Sequence, residues 1–158
     1  KTIKKNQCRV IFKTIYENGE ITAVSYNKIG KEIGRQTLKT AGEETMLIAE
    51  PEEKYIKSGG LAFVRLRYTD KSGIWKPMEK HRLKVKVKNG ILAGLGSANP
   101  YVKGNYTNDV VKTYFGEALA AVRADGTGPV QVMVSDQERR QVIEIPLQSV
   151  PKHEIQNS

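Results

Sequence analysis

The chain is short of the residues that most often carry chemistry: one cysteine, two histidines and one tryptophan in 158 residues. Cys8 has no second cysteine to pair with, which excludes an internal disulfide and leaves the redox compartment open. His81 opens a β run and His153 lies near the last residue, and neither belongs to an HxxxH or HExxH spacing. No metal ligand set is therefore assigned. A Gly-x-Ser-x-Gly elbow is missing, because Leu95-Gly96-Ser97-Ala98 lacks its second glycine. Gly94-Leu95-Gly96 lacks the third glycine and the helix of a dinucleotide fingerprint, and reads as a Gly-rich turn or bulge after Ile91–Ala93. No catalytic residue and no cofactor is assigned.

Long apolar runs are lacking as well. No stretch approaches the roughly 20 apolar residues that span a bilayer, so no membrane insertion is expected. Lys1 to Lys5 is charged but leads into Asn6 and Gln7 rather than an apolar signal core. The first residue is not Met, and the chain is expected to be a piece of something longer, with cytoplasmic, periplasmic and secreted locations all open. Helical periodicity is scarce too. The Ala-rich segment Glu117–Ala124 is the nearest candidate, but it is short, is entered through Phe115-Gly116 and runs straight into a turn, so it reads as strand.

What the chain has is charge and alternation. Its net charge of +9 raises a nucleic-acid surface as a function class. The placement of the charge argues otherwise: Lys84, Lys86 and Lys88 alternate with Leu83, Val85 and Val87, and Arg65 and Arg67 with Val64, Leu66 and Tyr68. That is the solvent face of half-buried strands, and no nucleic-acid partner is assigned.

The dominant period is two. Cys8–Ile15 ends at Asn18-Gly19, a pair suited to a tight turn. Glu20–Tyr26 and the weaker Glu32–Thr40 follow, and together the three runs predict a three-stranded meander. Ala41-Gly42-Glu43-Glu44 marks a junction. Beyond it come Thr45–Glu50, Leu61–Thr69, Leu83–Lys88, Ile91–Ala93, Glu117–Ala124, Val130–Ser135 and Gln141–Leu147. Short strands separated by Gly, Pro, Asn and Asp clusters predict an all-β, immunoglobulin-like β-sandwich. The expected organisation is thus residues 1–42 as the closing strands of a preceding β-sandwich domain, 43–150 as the sandwich, and 151–158 as a flexible tail.

Gly94 to Gly116 reads as a long loop, pinned by Tyr101, Tyr106, Tyr114 and Phe115. Ring faces serve sugar binding as well as core cover. Trp75, Tyr101 and Tyr106 are accordingly the candidate carbohydrate-binding residues, set against a plain covering role. The carboxylate clusters Glu50–Glu53 and Asp136–Glu138 stand beside turns and read as solvated loop charges.

Two blocks bear a family resemblance. Gly90-Ile-Leu-Ala-Gly-Leu-Gly-Ser-Ala-Asn-Pro100 and Tyr114-Phe-Gly-Glu-Ala-Leu-Ala-Ala-Val-Arg-Ala124 resemble the last immunoglobulin-like domain of bacterial β-galactosidases of glycoside hydrolase family 2. Glu20-Ile-Thr-Ala-Val-Ser-Tyr26, Gly34 and Leu38-Lys-Thr-Ala-Gly42 are similar to the closing strands of the domain before it. The resemblance covers roughly residues 16–147. It implies a bacterial parent whose catalytic barrel is not in this chain, since no Asn-Glu pair and no βα alternation occur here.

The expected role is then that of a non-catalytic accessory domain packing on other domains of the parent enzyme. A carbohydrate-binding module and a surface adhesive immunoglobulin-like domain are the alternatives. Expected partners are those other domains, a second copy through the strands of 8–40, and a carbohydrate.

Overall fold

The computed structural model describes residues 9–102 and 104–148. Cys8, His153 and the expected tail 151–158 lie outside the described residues. Every regular element among the described residues is a strand, as the period of two predicts. Two compact units divide the chain, residues 1–40 and 41–158.

The first unit holds one antiparallel hairpin, β1 (Glu20–Tyr26) and β2 (Glu32–Lys39), with Ile21 opposite Leu38. Its turn is built by Asn27, whose Oδ1 accepts the N–H groups of Ile29 and Lys31. Gly30 takes the left-handed conformation that closes it. One face carries cross-strand polar pairs: Thr22 and Thr37 share a hydrogen bond of 2.8 Å, and Lys39 pairs with Glu20.

The expected first strand is not there. Among the described residues, 9–17 form no strand, and the meander shows two strands where three are expected. Asn18-Gly19 turns no hairpin. Thr40 N–H donates to the Gly19 carbonyl and the Thr40 hydroxyl accepts from Gly19 N–H, so this pair seals the open end of β1–β2. β-branched composition suits a strand but does not by itself make one.

The second unit is a sandwich of two four-stranded antiparallel sheets. One has the order β3 (Met46–Pro51), β4 (Leu61–Thr69), β8 (Glu117–Ala124), β6 (Gly90–Gly96). The other has the order β10 (Arg140–Ile145), β9 (Val130–Ser135), β5 (Arg82–Lys88), β7 (Val110–Lys112). Alternation sets the two faces of each strand. In β4, Ala62, Val64, Leu66 and Tyr68 are buried while Leu61, Phe63 and Arg65 are exposed. In β9, Val130, Val132 and Val134 are wholly buried, and the two inner faces form one core. Lys84, Lys86 and Lys88 face solvent, as the charge pattern predicts.

The sequence reading of Gly94–Gly116 as one long loop needs correction. β6 runs on to Gly96, and β7 adds a short edge that pairs Leu83 with Val111. A three-residue strand is too short to announce itself by alternation. β6 continues because of a bulge between Leu92 and Gly94. Leu92 pairs Val122 and Leu95 pairs Ala120, so both leucines meet the inward row of β8 although three positions separate them.

Candidate functional site

The outer face of the β3-β4-β8-β6 sheet carries a groove of about 980 Å³. Its floor on β6 and β8 combines Gly94, Gly96 and Ala121 with the exposed side chain of Leu119. Its walls are aromatic, formed by Trp75, Tyr106, Tyr114 and Phe115. Glu52, Arg65 and Glu117 supply charge. Sites that hold small ligands are concave, mostly apolar and carry a few placed polar groups. This groove has that composition.

Trp75 is positioned by a tight turn off the end of β4. Asp70, only 5% exposed, accepts the N–H groups of Ser72 and Ile74 through Oδ1 and that of Gly42 through Oδ2. The Gly42, Ile74 and Ser72 donors hold its pKa below the usual carboxylate range. Trp75 then pairs with Thr69, Lys76 N–H donates to the Tyr68 carbonyl, and the indole is 44% exposed.

Phe115 and Gly116 are the two central residues of a tight turn closed by reciprocal hydrogen bonds between Tyr114 and Glu117. Both are left-handed, with φ of 49° at Phe115 and 71° at Gly116. Gly116 is required, because a Cβ there would run into the Lys76 carbonyl. Phe115 takes a place where Asn, Asp or Gly is usual, yet its ring stays 54% exposed. The Tyr114 ring meets it edge-on with centroids 4.5 Å apart.

Tyr106 reaches the groove from the loop after β6. Its carbonyl accepts from Leu95 N–H at 2.7 Å, and its ring lies against Gly96, where a Cβ would stand 2.5 Å from Cδ1. The structure thus gathers Trp75 and Tyr106 with Tyr114 and Phe115. Tyr101 is 85% exposed and is not among the lining residues.

The groove carboxylates have cationic partners. Glu52 Oε1 accepts from Arg65 Nη2 at 2.9 Å, and Glu117 Oε1 stands 3.5 Å from Arg67 Nε. Ser97 Oγ is buried and has no hydrogen-bond partner among the described residues. No group of three His, Cys, Asp or Glu among the described residues is placed to hold a metal ion.

A second polar cluster lies at the junction end of the sandwich. His81 pairs with Glu79 at 2.8 Å, and Thr45 Oγ1 donates to the other oxygen of Glu79. These two hydrogen bonds, with Lys76 nearby, lower the Glu79 pKa against the opposing effect of its burial. Lys76 Nζ also donates to the carbonyls of Glu43 and Glu44. Asp136 belongs to this cluster too: its side chain is 2% exposed, which corrects the reading of Asp136–Glu138 as solvated charges. Glu138 alone keeps that description, with a side chain 73% exposed.

Residues 46–142 match the family model described as glycoside hydrolase family 2 C-terminal domain 5. The chain belongs to that family. As a glycoside hydrolase family 2 C-terminal domain it superposes on a family 2 member from Bacteroides cellulosilyticus with a TM-score of 0.86. The identity is 24%, over 92% of this chain and 19% of that one. A β-glycosidase from Bacteroides vulgatus gives a TM-score of 0.74 at 20% identity, over 84% of this chain and 18% of that one. A β-glucuronidase from glycoside hydrolase family 2 gives 0.68 at 20% identity, over 87% and 15%. At such identities the likeness is one of fold. No curated protein matches the chain. The chain spans less than a fifth of each of these three structures, so other domains accompany its counterpart there.

Proposed function

We propose that this chain is a non-catalytic accessory region of a β-galactosidase-like family 2 glycoside hydrolase, and that its role is to pack on and order the parent's other domains. One observation carries the packing role. No residue of the β1–β2 hairpin is buried, although Ile21 and Leu38 stand opposite one another, 58% and 66% exposed, on the face away from the Thr22–Thr37 pair. A two-stranded hairpin is marginal on its own, and an uncovered apolar face on it calls for a partner surface. The neighbouring strands of the parent's preceding domain are that partner, and a second copy of the chain is the competing occupant.

The non-catalytic reading is supported by the state of the carboxyl groups. A general acid in a retaining glycosidase needs a raised pKa and a second carboxyl about 5–5.5 Å away. Asp70, Glu79, Asp125 and Asp136 are all shifted downward instead, and the two groove glutamates face arginines. The β-galactoside specificity of the parent rests on the resemblance of residues 90–124 alone.

The test has two arms. In the parent enzyme, the double change Ile21→Ser, Leu38→Ser should lower the melting temperature while leaving kcat on an aryl β-galactoside within about twofold at a temperature where it stays folded. The 158-residue chain alone should release no aglycone from that substrate. Hydrolysis by the chain that disappears on Glu52→Gln or Glu117→Gln would overturn the non-catalytic reading, and an unchanged melting temperature the packing role.

A further inference from the structure

We propose that the groove beside Trp75 binds oligosaccharides of β-linked hexopyranoses, with Trp75, Tyr106 and Phe115 as ring platforms and Arg65 and Glu52 as hydroxyl partners. This site is separate from the hairpin on which the packing role rests.

Three observations converge on it. The first is the display of aromatic rings. Trp75, Phe115 and Tyr106 are 44%, 54% and 66% exposed around one concavity, where a purely covering role would bury them. They hang on a rigid frame: Lys76 N–H bonds the Tyr68 carbonyl and Tyr68 N–H bonds the Gly116 carbonyl, each at 2.9 Å, which ties the Trp75 turn and the Phe115 turn to one strand end. Rings held this way lose little freedom when a ligand arrives.

The second is the left-handed backbone at Phe115. A bulky residue in that conformation is strained, and burial of its ring does not recover the cost. Strain of this kind collects where a side chain is aimed for use.

The third is the pairing of apolar floor and polar rim. The axial C–H bonds of a β-linked hexopyranose form an apolar face that lies on an aromatic ring, while its equatorial hydroxyls project from the edge. Gly94 and Gly96 let a ring come close to the backbone. The half-exposed Arg65–Glu52 pair offers donors and acceptors at the rim. An apolar peptide would leave these polar groups unmet, which disfavours it as occupant.

Trp75 is the only tryptophan, so its fluorescence reports on this groove alone. Cellotetraose and β-1,4-galactotetraose are titrated into the 158-residue chain. At least one should shift the emission saturably, with a Kd in roughly the micromolar to millimolar range. Tyr106→Ala and Phe115→Asn should each weaken it about tenfold or more, and Phe115→Asn, which suits the turn, should do so without lowering the melting temperature. The absence of a saturable shift up to about 10 mM of either sugar would overturn the proposal. So would affinity unchanged in both variants, or a concentration-dependent dimer that Trp75→Ala abolishes, since a second copy would then occupy the groove.

Discussion

The Tyr68 hydroxyl donates to Asp136 Oδ2 at 2.6 Å, joining the end of β4 in one sheet to the turn that follows β9 in the other. Asp136 is held further by the N–H groups of Glu138 and Arg139 and by the Arg139 guanidinium, which also donates to the Thr45 carbonyl. Burial alone would raise this carboxyl, but the hydrogen bonds from Tyr68, from the two backbone donors and from Arg139 outweigh it and hold it at about 2. Burial, and then the bond to Asp136, push the Tyr68 phenol well above its ordinary value.

Stability should follow these shifts. Asp136 titrates near 3.9 when unfolded and at about 2 when folded, so its contribution is present above pH ~4 and lost as pH falls toward 2. That contribution is on the order of 2 kcal/mol. Urea unfolding between pH 7 and pH 2 should show a steep acid limb that Asp136→Asn flattens. At the other extreme, the raised Tyr68 contributes fully below pH ~10 and loses its contribution above that. Tyr68→Phe should remove the alkaline loss.

Replacing Phe115 by Asn should stabilise the sandwich by on the order of 1 kcal/mol, because Asn tolerates left-handed backbone that a bulky side chain does not. Chemical denaturation measures it. A loss of stability would mean that the Phe115–Tyr114 ring contact outweighs the backbone strain.

Leu66 is fully buried between the sheets, and Leu66→Ala should cost about 2–5 kcal/mol. Lys86→Gln, on the exposed row of β5, should stay within about 0.5 kcal/mol. Equal effects from the two changes would contradict the assignment of faces.

Gly96→Ala should leave the core intact yet displace the Tyr106 ring, since the new methyl would stand 2.5 Å from Cδ1. The expected signature is a small change in melting temperature with a local change in Tyr106 and Leu95 amide resonances. A large loss of stability would show that Tyr106 is structural cover.

Much of the fold was legible because a half-buried strand writes its two faces into alternate positions. Leu61–Thr69, Glu117–Ala124 and Val130–Ser135 could be read to the residue, and the Ala-rich β8 is strand because Ala118, Ala120 and Val122 line the core. Three features were not legible. The Arg9–Ile15 run has strand composition, which by itself does not decide whether a strand forms. β7 offers three residues, fewer than two full alternations. Asp136 looks like any loop acid until Tyr68, 68 positions away, donates to it. At the groove, Trp75 and Tyr106 stood out by type, whereas Phe115 drew notice only as a loop anchor, since a left-handed phenylalanine has no sequence signature beyond the glycine after it.

The irregularity in β6 also sets what a small deletion would do. Removing Ala93 would leave a regular ladder, with Leu92 still opposite Val122, Gly94 opposite Ala121 and Leu95 opposite Ala120, so both leucines would keep facing the interior. The surplus residue is thus a point where the chain can be shortened by one without the sheet's two surfaces exchanging roles, an allowance that the regularly paired β9, with its row of buried valines, does not have.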